Sequence, residues 1–211
     1  MDNIVYLYVP DTMADWEVSY LTAELNSGRY FKNGIKPYRT VTVSADRAPV
    51  RTMGGLQIVP DITVQECAPE RGGTAALILP GGDTWFEERH QPILSKVREF
   101  LDNGIPVGAI CGATLALAGA GFLDLTDHTS NSLDFMKQVC PNYKGEAYFR
   151  NVPAVASGGL ITASGVAPLE FTYELIKALG VFLPETLEAW YQLYTDKSGE
   201  SFYRLMNSLK R

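Results

Sequence analysis

Short apolar runs alternate along the chain with stretches in which apolar residues return every three or four positions. That alternation predicts strands and helices taking turns. Residues 4–9 form a β-prone run, and Thr12-Met13-Ala14-Asp15 after it has the form of a capping box opening a helix. Ala14, Val18, Leu21 and Leu25 then fall on one helical stripe. Residues 38–44 read as a second strand. Residues 50–60 read as a hairpin about Gly54-Gly55, and a hairpin inserted between parallel units belongs on the sheet's edge. Residues 75–79 form a central strand, stopped abruptly by Pro80-Gly81-Gly82.

The next helix offers Ile93, Val97, Phe100 and Leu101 as its buried face and ends at Asn103-Gly104. Residues 105–110 are a further buried strand. Residues 112–121 form a helix so rich in Ala and Gly that it must pack closely. A short helix over 131–139 precedes paired strands at 154–156 and 160–162, turned by Gly158-Gly159. Pro168–Leu179 is a helix with Pro near its start, where Pro is tolerated. The order of elements predicts an α/β domain, a parallel sheet with helices on both faces. The last thirty residues add two amphipathic helices: Leu187, Trp190, Tyr191 and Tyr194 share one face, and Phe202, Leu205, Met206 and Leu209 another. Such a pair needs a surface to cover: a sheet edge, a dimer contact or a pocket.

At 211 residues the chain fits one domain with a substantial core. Its net charge of −6, without a local block of Lys or Arg, argues against nucleic acid or an anionic membrane as partner. The start, Met1-Asp2-Asn3, has neither the basic residues nor the long apolar run of a signal peptide, so the cytoplasm is the expected compartment. Three scattered cysteines (Cys67, Cys111 and Cys140) and two histidines make neither a disulfide framework nor a metal site. No metal and no cofactor is expected.

One cysteine stands apart by position. Cys111 sits where a buried strand meets a helix, flanked by the small residues Gly108, Ala109, Gly112 and Ala113 that a sharp elbow requires. Free amides and the helix dipole there favour a thiolate. The other reading is a small buried hydrophobe, the usual fate of a free cysteine. Pro80-Gly81-Gly82-Asp83 also follows a central strand and should lie beside Cys111. Its glycines let the backbone approach a ligand and aim amides at an oxyanion, with the Gly112 amide as the other donor, or it is a plain tight turn. Glu17, on the shoulder of the buried stripe, either reaches this site as a proton-holding carboxyl or is solvated beside Glu24. His128 is either a general base or polar loop surface. His90 falls in a charged run, the mark of a solvated face. Trp85 and Phe86 either line a pocket or, more commonly for such residues, pack in the core.

Taken together, these pieces resemble the ThiJ/PfpI family of the class I glutamine amidotransferase-like superfamily, which includes the parkinsonism-associated deglycase branch. The resemblance runs from Ile4 to about Gly180. It is carried by the helix bearing Glu17, Pro60-Asp61, Leu79-Pro80-Gly81-Gly82, Ala109-Ile110-Cys111, Gly121-Phe122-Leu123 and Ser164-Gly165. It implies a flavodoxin-like α/β/α sandwich over residues 1–180, with 181–211 an added helical extension of the same domain. It implies Cys111 as nucleophile, Glu17 as the protonated carboxyl hydrogen-bonded to the sulfur, Gly82 and Gly112 as oxyanion donors and His128 near the sulfur. It also implies a homodimer.

Departures from the family pattern narrow the chemistry. Gly112 stands where the peptidase-like and stronger glyoxalase-like members carry His, which argues against peptidase activity. His128-Thr129-Ser130 lacks the His-x-Glu of glutaminases and the Pro that follows the histidine in the deglycase branch. Glu17 and Gly112 differ from the Asp and Thr of isonitrile hydratase-like members. The expected function is a cysteine-dependent enzyme acting on a small carbonyl, thioester or amide, with glyoxalase, deglycase and amidase chemistry all open. The alternatives are a redox sensor or stress-response protein that stops at sulfinic acid, and a binding module that lost its chemistry.

Overall fold

The computed structural model describes residues 3–69 and 73–210, so the start at Met1-Asp2 lies outside it. Nine strands are described: β1 (Ile4–Tyr8), β2 (Arg39–Ser44), β3 (Val50–Arg51), β4 (Gln57–Ile58), β5 (Ile62–Thr63), β6 (Thr74–Leu79), β7 (Val107–Ile110), β8 (Ala154–Ser157) and β9 (Leu160–Ala163). The helices are α1 (Asp15–Ser27), α2 (Gln91–Asp102), α3 (Gly112–Gly119), α4 (Leu133–Val139), α5 (Pro168–Leu179), α6 (Pro184–Asp196) and α7 (Gly199–Ser208). Seven strands form one sheet in the order β5-β2-β1-β6-β7-β9-β8. Every pairing in it is parallel except β8 with β9.

Side-chain alternation builds the three layers. Strand β1 sends Val5 and Leu7 into one core, with α1 and α5, and Tyr6 and Tyr8 into the other, with α2 and α3. A Cβ at Gly108 would meet the Phe171 ring at 2.9 Å, so this glycine lets α5 lie close against β7. The flavodoxin-like sandwich expected from the sequence is present. The antiparallel hairpin is present too, with β3 and β4 forming a two-stranded ribbon of their own just before the edge strand β5. Among the described residues no helix is long and apolar enough to cross a membrane.

Two local readings are corrected. Helix α1 starts at Asp15 with Ala14 as its N-cap, not at a Thr12 capping box. Thr12 takes a left-handed backbone, φ 62°, and its hydroxyl donates to the Asp11 carbonyl, while Asp15 accepts the Gly54 amide. The capping chemistry is thus spent on loop-to-loop contacts. In α7, Ser201 and Leu205 are buried but Phe202 is exposed.

The C-terminal pair covers the α1–α5 layer rather than a sheet edge. Trp190, Leu187 and Leu205 join the same core as Val18, Leu21 and Leu25. The Trp190 indole N–H donates to Glu24 at 3.0 Å, and Arg29 Nε donates to the same carboxylate at 2.9 Å. Glu24 is therefore buried and paired, not solvated.

The strand order reverses between β1 and β6, because the chain runs outward from β1 to β2 and β5 before returning to β6. Open α/β sheets bind ligands at the carboxyl ends of the strands beside such a reversal. Helix α1 follows β1, the glycine loop follows β6 and Cys111 follows β7, so all three converge there.

Candidate active site

Cys111 lies at the N-cap of α3 with φ 56° and ψ −121°, a backbone that a residue with a Cβ rarely adopts. Such strain, on the order of 1–3 kcal/mol, persists only where the surroundings enforce it. Here Cys111 N–H is held by the Ala163 carbonyl of β9, and the Cys111 carbonyl accepts from Thr114 Oγ1 at 2.6 Å. The elbow expected from the sequence is the one the chain makes.

Glu17 is fully buried. Its Oε2 accepts the Gly81 amide at 2.5 Å, while Oε1 is buried without a hydrogen-bond partner. The Cys111 side chain lies beside this carboxyl. A Cβ at Gly165 would lie 2.7 Å from Cys111 Sγ and 3.0 Å from Glu17 Oε1. A Cβ at Gly81 would lie 2.8 Å from both Glu17 oxygens and from Cys111 Cβ. Glycine at 81 and 165 is what lets the carboxyl and the thiol meet.

Burial pushes the Glu17 carboxyl above its ordinary value, against the Gly81 amide and the Cys111 thiol. Burial also pushes the Cys111 thiol up, and the Glu17 charge adds to this, against hydrogen bonds from Asn131 and the Gly112 amide. The helix N-terminus alone therefore does not set the thiol's titration, as its position in the sequence suggested. Each of the two groups thus shifts the titration of the other.

Asn131 is a site residue that the sequence reading passed over. Its Nδ2 donates to Cys111 Sγ at 3.2 Å. The side chain cannot flip without loss, because Oδ1 accepts the Gly165 amide at 2.7 Å and the Ser164 hydroxyl at 3.2 Å. In the sequence it stood as the first residue of the helix expected over 131–139, whereas the helix starts at Leu133 with Ser132 as its N-cap.

The other candidates divide. Gly82 and Gly112 lie against each other, the Gly82 amide nitrogen 3.3 Å from where a Gly112 Cβ would sit. Both line a cavity of about 300 Å³ with Glu17, Cys111, Asn131, Asp83, Trp85, Leu115 and Ala14. Trp85 is buried, its indole N–H on the Pro80 carbonyl at 2.9 Å, and Asp83 is exposed. Phe86 is exposed at the cavity mouth instead of packed in the core. Trp16 of α1, Met53 of the β3–β4 turn and Phe135 of α4 stand there with it.

His128 does not border this cavity. Its Nδ1–H donates to the Thr126 carbonyl at 2.7 Å, which leaves Nε2 to accept the Tyr143 hydroxyl at 2.6 Å. Burial lowers its pKa, and both of its nitrogens are engaged away from the sulfur. His90 is buried rather than solvated: Tyr8 bonds its Nδ1 at 2.5 Å and Thr84 its Nε2 at 3.0 Å. Among the described residues no cluster of three His, Cys, Asp or Glu side chains could hold a metal ion.

Comparison with known proteins agrees with this fold. The DJ-1/PfpI family model matches residues 3–178. The chain is 53% identical over 207 residues, 98% of each chain, to a Bacillus subtilis protein called "Uncharacterized protease YoaZ". A ThiJ/PfpI family protein from Bacillus anthracis superposes with a TM-score of 0.95 at 51% identity, covering 100% of this chain and 99% of that one. A DJ-1 superfamily protein from Agrobacterium tumefaciens gives 0.79 at 35% identity, covering 93% and 99%.

Proposed function

Since the chain belongs to the DJ-1/PfpI family, we propose that it is a cysteine-dependent enzyme that converts a small electrophilic carbonyl, thioester or amide. The observation that carries this reading is the Cys111 thiol lying beside the buried Glu17 carboxyl, whose Oε1 has no hydrogen-bond partner. A buried carboxyl left half-satisfied destabilises a fold unless it has work to do.

The pair shares one proton. As sulfur attacks the carbonyl carbon, the S–C bond forms and the π pair moves onto oxygen. The Gly82 and Gly112 amides hold that oxyanion, and the thiol proton passes to Glu17. Glu17 returns the proton to the oxygen or to the leaving group as the adduct resolves. Asn131 steadies the sulfur while it carries charge. Peptide hydrolysis, the activity in the relative's name, is disfavoured, because both histidines of the chain are bonded away from the sulfur.

The test is turnover across a panel of 2-oxoaldehydes, thioesters and amides. Cys111→Ser should abolish conversion, and Glu17→Gln should slow it by about 10²–10⁴-fold. Unchanged turnover in both variants would make the mechanism wrong.

A second reading has its own support. Cys67 and Cys140 are buried, and burial pushes the Cys67 thiol up to about 12, so among the cysteines only Cys111 is open to oxidants. With peroxide, sulfur would take one oxygen and release water, and a second round would give sulfinate beside Glu17. Intact-mass titration with hydrogen peroxide separates the readings. A stable two-oxygen adduct without turnover of any panel member selects the sensor.

A further inference from the structure

We propose that the Cys111 cavity selects uncharged electrophiles bearing one apolar group of about phenyl size and rejects anionic ones. This rests on the reading of Cys111 as the reacting group, and it names the substrate class. Four exposed apolar side chains from four separate segments converge on the mouth: Trp16, Met53, Phe86 and Phe135, with 49, 47, 59 and 48% of their surface open. Scattered exposed apolar residues need no explanation, but four on one rim mark a binding surface.

Trp16 is preset for this task, since its indole N–H is fixed on the Gly165 carbonyl at 3.1 Å, beside the sulfur. Trp85 and Leu115 add apolar wall below the rim. At about 300 Å³ the cavity stands at the small end for ligand sites, room for one ring and a reacting group.

Charge supplies the other half. Among the described residues the charged side chains lining the cavity, Glu17 and Asp83, are both acidic, and no Lys or Arg lines it. The nearby guanidinium of Arg89 is bound to Asp11 at 2.9 Å and Glu87 at 2.7 Å. An α-keto acid or a phosphorylated sugar would find no cation here, and its charge would meet that of Asp83.

Stoichiometric alkylation of Cys111 tests the selection without any need for turnover. The probes are iodoacetamide, N-benzyl-iodoacetamide and iodoacetate, each rate divided by that with glutathione and followed by peptide mapping. In each case sulfur displaces iodide and its proton leaves to solvent. The benzyl probe should react about tenfold faster than iodoacetamide, the gain expected from burying a ring, and iodoacetate about tenfold slower. Phe135→Ala and Trp16→Ala should reduce the benzyl preference, while Phe202→Ala, on exposed α7 surface, should keep it. Equal normalised rates for all three probes, or faster iodoacetate, would overturn the proposal. So would exclusion of the benzyl probe, the result expected if a second copy of the chain covers the rim. Benzyl preference without turnover of any substrate would instead sink the enzyme reading and leave this selection standing.

Discussion

Glu17 is the residue at which stability and chemistry oppose each other. Its carboxyl is raised above its ordinary 4.5 by burial. A carboxyl with a raised folded pKa leaves the folded state holding more protons than the unfolded one, so stability falls as pH climbs from the ordinary value through the raised one. Glu17→Gln removes that fall. Its melting temperature should exceed that of the parent at pH 8, and the gap should close near pH 4. Each ~1 kcal/mol appears as about 2–4 °C in a chain of this size. An equal gap at both pH values in thermal melts would show that Glu17 is not the titrating group. Asn131 works in the opposite sense, since its amide favours charge on sulfur against burial and Glu17. Asn131→Ala should move the pH midpoint of Cys111 alkylation upward and slow alkylation at pH 7 by about tenfold or more. A midpoint that stays in place would reduce Asn131 to a loop spacer.

At the scale of elements, α1 carries Glu17 into the site from one end and is fastened to α6 at the other. Trp190 and Arg29 close on Glu24 there. Trp190→Phe keeps the ring but strips its donor from a buried carboxylate and should cost about 1–3 kcal/mol in urea unfolding. Trp190→Ala should cost about 3–5 kcal/mol. No loss in Trp190→Phe would mean that packing alone holds α6. Apart from the two-residue β5, the strands and the bounds of Pro168–Leu179 were legible in the sequence because each follows from local periodicity and nearby Gly or Pro. Thr12 misled because Asp15, the residue that would complete its capping box, bonds a hairpin 39 positions away. His90 misled because a charged run says nothing about Tyr8, 82 positions distant, waiting in the core. The elbow and the glycine loop are contiguous and could be read. The rim is not: Trp16, Met53, Phe86 and Phe135 become neighbours only through the fold.

On the scale of the whole molecule, residues 181–210 finish the layer that holds the site in place. The resemblance ends near Gly180, and the family model matches only to residue 178, which makes the tail look like an appendage. Burial argues otherwise. Val181, Phe182, Leu187, Trp190 and Leu205 are all buried in the core shared with α1 and α5. At roughly 1.5–3 kcal/mol for each buried side chain, they match the entire 5–15 kcal/mol by which a domain is stable. Removal of the tail would also strip Trp190 from Glu24 and bare Tyr20, which packs edge-on against Trp190 and Tyr194. Because Glu17 and Tyr20 ride on the same helix, damage at α6 reaches the thiol through α1. A chain ending at Gly180 should therefore give little folded protein and no cooperative melt by circular dichroism. A truncated chain that melted cooperatively and kept the Cys111 alkylation profile would show that the site stands on residues 1–180 alone.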